Sequence, residues 1–81
     1  MELKIKTVEQ LENWMIENNY KKHSYIIGNY FFTTEGCGID NNGELYSWFY
    51  TERGEREVLK YFVNEEEAVA YAFKKISKKE Y

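Results

Sequence analysis

Leu45-Tyr46-Ser47-Trp48-Phe49-Tyr50-Thr51-Glu52-Arg53-Gly54-Glu55-Arg56-Glu57-Val58-Leu59-Lys60-Tyr61-Phe62-Val63 is the stretch whose reading decides the fold. Leu45 to Thr51 is dense in aromatic residues, which suit a pleated surface better than a helix, so it reads as a strand. Glu52-Arg53-Gly54-Glu55 then reads as a four-residue hairpin loop with Gly54 in the left-handed conformation, and Arg56 to Val63 as the returning strand. Period-two alternation places Leu45, Ser47 and Phe49 on one face and Tyr46, Trp48 and Tyr50 on the other. Neither face is polar.

Working outward, Asn64 stands at an N-cap position and Glu65, Glu66 and Glu67 fill a first helical turn, where the helix dipole favours negative charge. Val69, Ala72, Phe73 and Ile76 form the apolar stripe of this second helix, Tyr71 faces away from it, and Lys74, Lys75, Lys78 and Lys79 complement its C-terminal end. Upstream, Asn41-Asn42-Gly43 is a turn, and Ile39 starts a short return strand. Glu35-Gly36-Cys37-Gly38 interrupts the pattern with two glycines, and Ser24 to Thr34 reads as a strand bent at Gly28. Thr7-Val8-Glu9-Gln10 has capping-box spacing and opens a first helix over residues 7 to 18, with Val8, Leu11 and Met15 inward and Trp14 and Ile16 at the margins. The order is helix, three- to four-stranded antiparallel meander, helix: an α+β two-layer sandwich forming one domain over residues 1–81. At this length the radius of gyration is about 12 Å and any cleft is shallow.

Two helices cover one face of such a sheet and leave the other bare. Leu45 and Phe49 are expected under the helices, with Tyr46, Trp48 and Tyr50 left outside to meet a partner. Eight Tyr, five Phe and two Trp make up 19% of the chain. That exceeds what a thin core needs, and Tyr and Trp are favoured where proteins meet proteins.

The formal charge of -3 is unevenly placed. Residues 1–34 carry four acids and four bases, residues 35–67 nine and three, and residues 68–81 one and four. An acidic middle suits a basic partner and argues against direct nucleic-acid binding, which requires a basic surface. The same helix and strand order occurs in double-stranded RNA-binding domains, but those place basic residues where this second helix has three glutamates. No run of about 18 apolar residues predicts a membrane span, and the N-terminus has no secretory leader pattern. One cysteine permits no internal disulfide, in keeping with a cytoplasmic location.

Catalysis finds little support. His23, in the polar connection Tyr20-Lys21-Lys22-His23-Ser24, reads as a solvated loop residue, and Cys37 between two glycines as an exposed thiol. Asp40-Asn41-Asn42-Gly43-Glu44 lacks the first acidic ligand and the later bidentate glutamate of a calcium loop. One Cys and one His cannot build a zinc site. Glu55 and Glu57 are close in sequence, yet paired-carboxylate chemistry needs a cleft that a shallow domain does not form. No cofactor, no metal and no enzymatic activity are expected.

Tyr46 to Ile76, with an aromatic strand entering Tyr50-Thr51-Glu52-Arg53-Gly54 and then Phe62 ahead of Glu66-Glu67-Ala68-Val69, resembles the small immunity proteins of bacterial polymorphic toxin systems. The resemblance implies a cytosolic, non-catalytic inhibitor that binds one cognate toxin domain, frequently a nuclease. Electrostatic steering and aromatic anchors then place the contact at Tyr46, Trp48, Tyr50, Glu52, Arg53, Glu55 and Glu57. Two other readings stay open: a homodimeric structural or regulatory domain that buries the bare face against its own copy, and a phage-encoded inhibitor of a host nucleic-acid enzyme.

Overall fold

Thr7 caps the first helix as its spacing predicts: its hydroxyl accepts from the Gln10 amide while the Gln10 side chain reaches back to the cap. A computed structural model describes residues 5–78, in the order α1 (Val8–Glu17), β1 (Gly36–Asn41), β2 (Tyr46–Glu52), β3 (Glu55–Phe62) and α2 (Glu65–Ser77). The expectations placed on residues 1–4 and on Lys79 lie outside the described residues. The three strands form one antiparallel meander in the order β1-β2-β3, and the fold is α+β. The radius of gyration is 11.7 Å.

Asn64 caps α2 through its side-chain oxygen, which accepts from the Glu67 amide. α2 lies across all three strands, and α1 packs beside it in the same direction. The Glu65 carboxylate of α2 accepts from the Val8 amide at 2.8 Å, so the acidic start of one helix caps the first turn of the other. Midway, Trp14 meets Phe73 edge-on at 4.8 Å, and further along the Tyr20 hydroxyl donates to the Ile76 carbonyl.

The helices cover the opposite face of β2 from the one expected. Tyr46, Trp48 and Tyr50 point into the helical layer, where Trp48 is 1% exposed and sits in one cluster with Leu11, Met15, Cys37, Ala68, Val69, Ala72 and Ile76. Ala68 and Ala72 supply the reason: two small side chains at the middle of the α2 stripe leave room for large rings from the sheet. Tyr71 likewise turns inward rather than away, with its ring 5.2 Å from that of Phe62 and 6.2 Å from that of Trp48.

Residues 24–34 do not form the expected strand. The segment touches the sheet by one parallel bridge, Ile26 to Gly38, and then turns so that Ile27 and Phe31 exchange backbone hydrogen bonds. Glu12 on α1 makes that turn, accepting from the Asn29 and Tyr30 amides at 2.8 and 2.6 Å, while Gly28 takes φ of 60°. Tyr25, Ile27 and Phe31 are buried in the core, so the apolar residues are satisfied by packing rather than by a ladder. Gly36 and Gly38, read as breakers, lie within β1 itself. A Cβ on Gly38 would come within 2.6 Å of the Ile26 Cβ, so the close crossing of the chain requires glycine there.

Candidate functional site

The tip of the β2–β3 hairpin is a two-residue turn, shorter than the expected four. Glu52 pairs with Glu55, and both central residues take positive φ, 54° at Arg53 and 81° at Gly54. Glycine adopts that conformation freely, while the arginine is held there by the ladder on either side. Thr51 braces the turn by donating from its hydroxyl to the Glu55 carbonyl at 3.0 Å.

Around this tip lies an open groove of about 550 Å³, lined by Tyr50, Glu52, Arg53, Glu55, Arg56 and Glu57. Five of the seven residues singled out from sequence therefore meet at one place: Tyr50, Glu52, Arg53, Glu55 and Glu57. The other two, Trp48 and Tyr46, do not join them, because they stand two and four residues further from the tip than Tyr50 and Trp48 is closed off from solvent. The groove's field is negative where Tyr50 sits. Glu52 above all, then partial burial and the neighbouring Glu35, hold the Tyr50 hydroxyl above its ordinary pKa.

Arg56 also lines the groove, although its place in the sequence marks it only as the start of the returning strand. Its guanidinium lies 3.9 Å from the centroid of the Phe49 ring, and its Nη1 meets the Asp40 Oδ2 at 3.0 Å. One side chain from β3 thus crosses the helix-free face of β2 to reach β1, and Phe49 beneath it is fully buried. The signal was present in the alternation: Arg56 opposes Thr51 and so shares a face with Phe49, two residues earlier on β2.

The helix-free face is not uniformly polar. Toward the far end of β3, Leu59, Tyr61 and Val63 are 47%, 56% and 75% exposed. Leu59 is the extra residue of a bulge, since Trp48 pairs with Lys60 and Phe49 with Val58.

A second groove, of about 570 Å³, opens between the C-terminal ends of the helices beside Trp14, Tyr20 and Tyr25. Its polar groups are largely turned to internal work. Asn18 donates to the Trp14 carbonyl, Ser24 to that of Lys21 and Ser77 to that of Lys74.

Cys37, expected to be exposed, is buried beneath the helices, and burial pushes its thiol up to about 11 against an opposing pull from Lys75. His23 stays on the exposed connection, with its Nδ1 2.9 Å from the Phe32 carbonyl oxygen. Among the described residues no group of three or more His, Cys, Asp or Glu side chains is placed to hold a metal ion. Among the same residues no helix is long and apolar enough to cross a membrane. No family model, curated protein or solved structure matches the chain.

Proposed function

We propose that this chain is a non-catalytic immunity protein that binds and neutralises a cognate bacterial toxin domain, a nuclease with a basic cleft, through the tip of its β2–β3 hairpin. The observation that carries the reading is the groove that gathers Tyr50, Glu52, Arg53, Glu55 and Glu57 around an anionic tip. Arg56 joins this contact surface, and Tyr46 and Trp48 leave it. Arg56, the second of the groove's two cations, is paired with Asp40, so Glu52, Glu55 and Glu57 stand exposed beside Arg53. Such a tip attracts a cationic surface at long range and offers Tyr50 as a half-buried ring for close contact. A nuclease cleft shaped to attract phosphate presents that kind of surface.

The test is co-expression of the chain with the toxin domain encoded beside it, read as co-purification and as growth of a susceptible host. A Glu52→Lys, Glu55→Lys double variant should slow association at low salt by about tenfold or more and weaken protection, with its circular dichroism unchanged. Undiminished protection by that variant removes this surface, and a neighbouring toxin that never co-purifies removes the immunity reading.

A further inference from the structure

The two edges of the sheet are unequal. The outer edge of β1 is partly taken by the Ile26 bridge, whereas among the described residues β3 has no neighbour on its outer side along Glu55–Phe62. An unpaired edge of eight residues is a template for another strand. Two devices restrict what can use it, the bulge at Leu59 and the charge of Lys60.

The register decides which strand fits. Glu57 and Lys60 lie on one face, because their direct partners are Tyr50 and Trp48, while Arg56, Val58 and Tyr61 oppose Thr51, Phe49 and Ser47 and lie on the other. In a regular strand, residues three apart point to opposite faces. The bulge brings Glu57 and Lys60 to the same side. If β3 meets its own copy antiparallel around a two-fold axis between Val58 and Leu59, Glu57 opposes Lys60, Arg56 opposes Tyr61 and Val58 opposes Leu59. Every pair with an assigned face then shares it, and the two central contacts are complementary, Glu57 against Lys60 and Val58 against Leu59, while Arg56 beside Tyr61 keeps its own partner Asp40 and Glu55 meets Phe62 at the ends. Shifting the register by one residue sets side chains from opposite faces against each other across the bulge. Neither Glu57 nor Lys60 forms a salt bridge among the described residues; the Lys60 ammonium lies 5.6 Å from the Tyr71 ring centroid and 5.9 Å from that of Phe62, and the exposed Glu57 on the same face offers a second copy's Lys60 a carboxylate.

We propose that a second copy of this chain is the occupant of the β3 edge, and that the two chains form one six-stranded sheet with Glu57 of each opposite Lys60 of the other. The dimer does not depend on the toxin reading, although Glu55, Arg56 and Glu57 belong to both surfaces. Its edge also carries Leu59 and Tyr61, two of the most exposed apolar side chains of the sheet.

Sedimentation equilibrium of the full chain, with circular dichroism as a folding control, tests this by a charge-exchange cycle. Glu57→Lys alone and Lys60→Glu alone should each raise the dimer dissociation constant about tenfold or more, and the double exchange should return it to near the starting value. A chain that stays monomeric to about 1 mM, single variants that leave the constant unchanged, or a double exchange that fails to restore it, overturns the proposal. Glu52→Lys, outside β3, should leave the dimer intact while weakening toxin binding, which separates the two surfaces.

Discussion

On one face of β2, Tyr46, Trp48 and Tyr50 pack toward the helices, with Trp48 closed to water; on the other, Phe49 is equally closed, with the Arg56 guanidinium over its ring. The first face is buried by a second layer of secondary structure. The second is covered at one point by a side chain long enough to cross β2 and charged enough to be held at its far end by Asp40. The comparison teaches that a ring on an uncovered sheet face need not be a docking site. What remains open on that face is further along β3, at Leu59 and Tyr61.

The comparison is broken most directly by removing each ring. Trp48→Ala should cost about 4 kcal/mol of unfolding free energy and Phe49→Ala about 3 kcal/mol, measured by urea denaturation, because both leave a cavity in a closed site. Trp48→Phe should cost far less than Trp48→Ala: the buried indole Nε1 has no hydrogen-bond partner among the described residues, so the phenyl ring gives up no polar contact with them. A Phe49→Ala cost below about 1 kcal/mol would mean that the arginine leaves the second face effectively solvated.

Next in size is the clasp itself. Arg56→Ala should lower stability by about 1.5 kcal/mol, combining a cation–ring contact with a half-exposed ion pair. Asp40→Asn should cost about 0.5 kcal/mol and lose most of that effect in high salt, whereas the stacking part of the Arg56 contribution should persist. Equal costs for the two variants would assign the clasp to charge alone.

Cys37 sharpens the helical side. Its folded thiol titrates at about 11 rather than the ordinary 9.0, so the folded chain holds its proton where the unfolded chain has lost it. Stability should therefore fall as pH rises from 9.0 toward about 11, and Cys37→Ala should flatten that stretch of the profile. Thiol reagents at pH 8 should label the native protein far more slowly than the urea-unfolded one. The smallest effect is at the hairpin tip. Glu52→Gln should lower the Tyr50 pKa toward its ordinary value in an ultraviolet titration, because the largest charge opposing the phenolate is then gone.

Much of the frame was legible because local chemistry dictates it. The Thr7 and Asn64 caps, the helical stripes, the Asn41–Gly43 turn and the strands flanking Arg53-Gly54 all follow from neighbours in sequence. What could not be read depends on contacts between distant residues. Glu12 captures two amides seventeen and eighteen positions away and thereby folds Ile27 to Phe31 into a turn instead of a strand. Gly38 enters a strand because Ile26 crosses it. The sidedness of β2 is of the same kind: alternation defines its two sets, but Ala68 and Ala72 on α2 select which set is covered. The site divided along that line, its hairpin half assembling from adjacent residues and its Tyr46 and Trp48 half turning inward with the helices.

The covered side of β2 can be read from a single chromophore. In a Trp14→Phe variant, Trp48 becomes the sole tryptophan, and burial beneath α2 predicts blue-shifted emission, weak quenching by acrylamide, and a red shift only on unfolding. Water-like emission and free quenching in the folded protein would place Trp48 on the open side, contradicting the inward arrangement and returning Tyr46 and Trp48 to the partner surface.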